Sequence, residues 1–319
     1  MIFLRAAITY ALFPISFAAA MIAGLCGLAR GLDHGAMLAG ITFATIVIVA
    51  IAERINPQYA RWNVARNDIA TDLMHSLVSQ ILLPKVLELG LRIVMLAGAA
   101  RLTQWLGFTL WPTGWPLLAQ LALALLLSQF FEYWLHRMMH EQPLLWRLHA
   151  THHSPSRLYW LNAGRFHPLD TAASFTVAMT PLLLLGASAD VMLMLTVWVA
   201  VHGLFQHANI KVRLGPLNYL FSMAELHRWH HSLRLEEANS NYGNNIIIWD
   251  LVFGTFFHPS DREAEEAVGI SDLDAFPARY VGQLLSPWRW PAIEEASRSV
   301  AEKPRGSDAP LAHEPNPGP

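Results

Sequence analysis

The sequence is poor in charge and almost without cysteine. Only 14% of its 319 residues are charged, against about a quarter in an ordinary soluble protein. The formal net charge is −2, which leaves no basic surface to neutralise phosphates and so excludes a nucleic-acid partner. The single cysteine, Cys26, lies in an apolar run, so neither a disulfide framework nor a thiolate metal site can be built. Any metal must be held by histidine, carboxylate or water. No dinucleotide-binding fingerprint, cysteine-ligated cluster motif or fused haem module is found, and no His-Glu-x-x-His occurs.

What the chain has is hydrophobic length. Apolar residues make up 54% of it, and a bilayer crossing needs roughly 20 mostly apolar residues in a helix, because lipid offers no partner to an unpaired backbone group. The first run spans Ala6–Ala29 behind Arg5. Its basic start resembles a signal peptide, but its length and the spans that follow favour a retained helix. A second run covers Ala36–Ala52. A third, Thr71–Ala100, is interrupted by Pro84, Lys85, Glu88 and Arg92 and reads as one broken helix or two segments. The fourth, Trp115–Trp134, passes directly into His136. Leu169–Phe205 is divided by Gly186, Ser188 and Asp190, as a hairpin of two helices would be. Beyond about Lys211 the mixed composition suits a water-facing cap, and the Pro- and Gly-rich tail from Glu302 is expected to be disordered.

The expected fold is an all-α integral membrane protein with several transmembrane helices and a cytoplasmic helical cap carrying a histidine-rich two-metal centre. Three regions are expected: N-terminal transmembrane helices at 1–100, a histidine-rich region at 101–260, and a C-terminal extension at 261–319. If each run crosses once, Arg54, Arg61, Arg66, Arg137, Arg147, Arg157, Arg165, Lys211 and Arg213 share one side and Arg30 and Arg101 the other, so the positive-inside bias puts the histidine-rich side in the cytoplasm.

Three clusters hold eight of the fifteen histidines: His136 and His140; His149, His152 and His153; His227, His230 and His231. Residues four apart share a helix face, so His136 and His140 can point at one metal. In each His-x-x-His-His the first residue has partners three and four positions on, and one face is expected to offer three imidazoles. Eight neutral nitrogen donors are too many for one ion and suit two; imidazole serves iron, zinc and copper alike. His207 and His202 are further candidate ligands, each weighed against a buried histidine satisfied by a hydrogen bond. Two copies of His-x-x-His-His at the ends of membrane spans are a strong signal, since polar groups at membrane depth are costly.

Together with Arg165-Phe166-His167-Pro168, Asn241-Tyr242-Gly243, Trp249-Asp250 and Phe253-Gly254-Thr255, these boxes resemble the sterol desaturase and fatty acid hydroxylase superfamily over about Leu125–Phe257. The resemblance implies two non-haem irons facing the cytoplasm, with zinc able to replace them in purified protein. It also implies dioxygen as cosubstrate and attack on the C–H bonds of a bilayer lipid such as a sterol or fatty acyl chain, by hydroxylation in preference to desaturation. Within it, His167 is a ligand or a support for one, and Asn241 and Asp250 would orient ligating imidazoles by accepting their other ring proton. Two electrons are needed, and without an internal carrier they must come from a separate reductase or electron carrier. The rival readings are a haem electron carrier, a membrane zinc hydrolase and a metal or proton transporter with its ionisable groups at the midplane.

Overall fold

The computed structural model describes residues 1–302; the expected disordered tail, beyond Glu302, falls outside them. It is built from helices: α1 (Ile2–Ala29), α2 (His34–Ile55), α3 (Ile69–His75), α4 (Leu83–Leu106), α5 (Leu117–Glu141), α6 (Pro143–His153), α7 (Pro168–Leu185), α8 (Ala189–Gln206), α9 (Ala224–His230), α10 (Leu235–Ala238), α11 (Ile248–Phe253), α12 (Tyr280–Leu285) and α13 (Trp290–Ala301). Among the described residues no strand forms, and the extended segments meet only in isolated bridges such as Pro57 with Ile210 and Phe221 with Ile246.

Five helices, α1, α2, α5, α7 and α8, are long and apolar enough to cross a membrane, and the chain is a multi-pass membrane protein. Each apolar run became a helix because lipid forces the backbone to bond within itself. Their breaks fall where the sequence offers turn chemistry. Asp33 caps α2 by accepting from Ala36 N at 2.8 Å. Gly186, at φ 90°, ends α7 in the left-handed conformation that glycine adopts without strain, and Ser188 caps α8. The hairpin expected over 169–205 is thus α7 and α8.

The interrupted third run is one nearly continuous helical rod. Between α3 and α4 the backbone widens into a π-helical stretch over Ser76–Leu82. Pro84 follows one residue later; it has no N–H to give the carbonyl four residues back, so the regular helical ladder is interrupted at this point. The rod runs beside α7 in the same direction, because its start meets the loop before α7 (Ser79 Oγ donates to Phe166 O, 2.8 Å) and a Cβ on Gly98 would stand 3.3 Å from Leu184 near the end of α7.

One apolar core gathers Phe13 and Phe17 of α1 with Val197, Val201 and Phe205 of α8. A second joins α5, α7 and α8 around Trp111. The opposite end of this bundle, where α5 finishes and α7 begins, is roofed by α6, α9–α13 and their loops, and all the box histidines lie there.

Candidate metal centre

Nine histidines converge into two groups. One is His136, His140, His149, His153 and His230; the other is His152, His207, His227 and His231, and in each the ligating atoms lie within 4.8 Å of one another. All nine come from positions singled out in the sequence. The groups are neighbours: the rings of His153 and His231 stack with centroids 4.4 Å apart.

The boxes do not each serve one metal, as a three-imidazole face would. In α6, His149 and His153 join the first group while His152 joins the second. At α9, His227 and His231 join the second while His230 joins the first. The reason is angular. At about 100° per residue, positions three and four ahead fall on opposite sides of the first residue's own line, roughly 100° apart. Each box therefore gives a pair at four-residue spacing to one site and reaches the other with the residue between.

The unused ring nitrogens identify the tautomers. Nδ1 of His136 faces Tyr242 O (2.6 Å), that of His149 Asp170 Oδ2 (2.8 Å), and that of His230 Ser240 O (2.7 Å). Asn239 Oδ1 lies 3.3 Å from His140 Nδ1, Arg165 O 3.3 Å from His152 Nδ1, and Asn162 Oδ1 3.1 Å from His207 Nδ1. Carbonyl and carboxylate oxygens can only accept, so Nδ1 carries the proton and Nε2 presents a lone pair. Those lone pairs are turned on one another: His136 Nε2 and His149 Nε2 are 2.9 Å apart, as are His227 Nε2 and His207 Nε2. Nε2 of His140, His153 and His230 has no hydrogen-bond partner among the described residues. Burial, reinforced by neighbouring imidazoles, holds His152, His153, His227 and His231 well below the ordinary imidazole value and His207 and His230 at about 3. Neutral, buried, converging nitrogens with no protein donor to satisfy them fit metal cations.

The remaining sequence candidates stand elsewhere. His202 joins neither group; it is fully buried in α8 against Phe13, at 6.0 Å between ring centroids, and neither nitrogen has a hydrogen-bond partner among the described residues. His167 caps α7, accepting from Leu169 N at 3.1 Å and donating to Leu284 O at 3.1 Å, which leaves it no free nitrogen. Among the described residues neither Asn241 nor Asp250 hydrogen-bonds an imidazole through its side chain, and both act one step further out. Asp250 accepts from Tyr242 N (2.7 Å) and Gly243 N (2.8 Å), which aims the Tyr242 carbonyl at His136. Its burial pushes the carboxyl up to about 6. Asn241, at φ 52°, ties the same loop to Leu226 O and Phe257 O.

Sequence reasoning missed the actual acceptors. Asp170 stands two residues beyond the Arg165-Phe166-His167-Pro168 segment, and that proximity was its one available signal; Tyr242, Ser240 and Arg165 act through backbone carbonyls, which no side chain announces. Arg165 is itself set by a buried ion pair with Asp72 of α3, whose carboxylate also accepts from Tyr159 OH at 2.7 Å. Phe166 stacks on the His152 ring, centroids 4.0 Å apart.

A helical membrane bundle capped by two all-histidine groups defines the class of protein. The fatty acid hydroxylase family model matches residues 121–255, which carry every one of the nine. An ornithine lipid hydroxylase of Rhizobium tropici is 35% identical over 266 residues, covering 83% of this chain and 78% of that protein. The chain belongs to the fatty acid hydroxylase family. Shorter likenesses run to an alkylglycerol monooxygenase of Danio rerio, 33% identical over 41% of this chain and 29% of that one, and to methylsterol monooxygenase 1 of Rattus norvegicus, 29% identical over 39% and 42%. No solved structure matches the chain at a significant level.

Proposed function

We propose that this protein is an oxygen-dependent lipid hydroxylase holding two non-haem irons, one in each histidine group, with its histidine end on the cytoplasmic side. The observation that carries the reading is the division of nine imidazoles into two adjacent groups containing no carboxylate among the described residues. When bound, the irons supply activation of dioxygen for insertion of one oxygen atom into a C–H bond, the other leaving as water with two electrons and two protons from outside the chain. The protein's own part is placement. Asp170, Asn162 and the carbonyls of Arg165, Ser240 and Tyr242 hold the rings in the tautomer that faces inward. The surrounding helices exclude water and present the site to a lipid lying beside them.

The same observation weighs against the rivals. Two packed clusters leave no room between axial histidines for a porphyrin, and a zinc hydrolase would want a carboxylate beside its metal. The groups sit at the ends of α5, α7 and α8 instead of at mid-span, unlike a transport site. The breadth of the match to the ornithine lipid hydroxylase makes an aminoacyl lipid the first substrate to test, ahead of sterols and alkylglycerols, for which the likenesses are shorter. The test is incubation of iron-loaded protein in nanodiscs with a reductant and labelled dioxygen across these lipids. Incorporation of one labelled atom into a lipid supports the proposal; product formed without dioxygen, or labelled from water, contradicts it.

A further inference from the structure

The segment that follows the family-matched region makes a surface the catalytic reading does not use. It consists of α12 and the turn Ser286–Trp288. Its height is fixed by two hydrogen bonds: Leu284 O accepts from His167 Nε2 at 3.1 Å, and His167 immediately precedes the span α7; Ala278 O accepts from Thr71 Oγ1 of α3 at 3.1 Å. The segment therefore lies level with the first turn of α7, one of the helices long and apolar enough to cross a membrane.

Its two faces differ. Gln283 and Ser286 are buried, and Gln283 Oε1 meets His75 Nε2 at 2.9 Å while His75 Nδ1 meets Phe166 O at 2.9 Å, so the inner face is keyed to the ring that stacks on His152. The outer face carries Val281, Leu285 and Trp288, at helical spacing and 63%, 38% and 68% exposed; Leu169, two residues past His167 on the first turn of α7, is 48% exposed. Arg279 and Arg289 flank this stripe; both are exposed, and neither has an ion-pair partner among the described residues. An apolar stripe with tryptophan at its edge and two free arginines at its ends matches the chemistry of a bilayer interface, where the rings and alkyl groups enter the acyl boundary and the guanidinium groups meet phosphates.

We propose that residues 279–289 form an interfacial strap that docks on the anionic lipid headgroups of the leaflet on the histidine side. The strap ties the roof of the metal centre to the membrane from which a lipid substrate must arrive. The single native cysteine makes the test direct. On a Cys26→Ser background, one cysteine at a time replaces Val281, Leu285, Trp288 or, as a control on α10 beyond the end of α5, Glu236, and each is labelled with an environment-sensitive fluorophore. In nanodiscs containing phosphatidylglycerol and a lipid spin-labelled near its headgroup, the three strap labels should be blue-shifted, quenched by the spin label and protected from aqueous iodide, while the label at 236 is quenched by iodide alone. Val281→Cys and Leu285→Cys retain Trp288, so the result does not hang on one variant. Strap labels as open to iodide as the control would overturn the proposal, and so would labels shielded from both quenchers, since a protein surface would then cover the stripe.

Discussion

Asp170 and His149 form a buried pair in the first histidine group, with the carboxylate 2.8 Å from Nδ1 and both side chains sealed from solvent. The carboxylate keeps the proton on Nδ1 and strengthens Nε2 as a donor, so Asp170→Asn should weaken metal binding about 10- to 100-fold. Titration of metal-free protein, read as retained metal, checks this, and an unchanged affinity would contradict the assigned role. Gly243 answers to a different constraint. A Cβ there would collide with the Ile246 carbonyl and stand 2.8 Å from Asp250 Oδ2, so Gly243→Ala should destabilise the protein by about 1–3 kcal/mol and disturb the loop that aims Tyr242 O at His136. Thermal unfolding in detergent measures the first effect and metal retention the second. At this scale the sequence was half legible. Imidazoles declare themselves by type and spacing, whereas the oxygens that orient them are mostly backbone atoms whose positions depend on the tertiary fold.

Among the elements, α6 and α9 each carry a His-x-x-His-His and each divides it between two sites. Spacing and helical angle explain why the pair four apart parts from the residue between; which site each pair joins depended on how α5, α6 and α9 are turned about their axes, which only packing decides. The division predicts a site-resolved outcome. His153→Ala should lower occupancy of the first group and spare the second, and His152→Ala should do the reverse, each leaving about one metal per chain at limiting metal concentration. Metal analysis with a spectrum of the remaining ion distinguishes the two variants. Identical spectra from both would contradict the division. The π-helical stretch before α4 shows the same limit of legibility: Pro84 and the charged residues after it announced an interruption, but not that the rod would continue alongside α7.

For the whole molecule, the helical membrane fold was legible because lipid reduces the choices available to a long apolar run, and the lengths of α1, α2, α5, α7 and α8 follow from it. The roof was less so, since α10, α12 and the loops around them are short and held by tertiary hydrogen bonds. One consequence belongs to this scale. Metal-free folded protein keeps His207 and His230 neutral down to about pH 3, while an unfolded imidazole titrates near about 6.5. Between those values the unfolded chain binds more protons, so stability should fall as pH drops below about 6.5 and level off above it. A series of melts from pH 8 to about pH 4 reads the slope, and metal bound to the deprotonated rings of the folded chain should raise stability across the range without reducing that slope. The central claim is that the molecule houses two irons in separate, adjacent histidine groups. It is tested most directly by metal analysis with Mössbauer spectroscopy on protein reconstituted with iron-57: about two irons per chain with interacting spectra are predicted, and a single iron, or a haem spectrum, would contradict it.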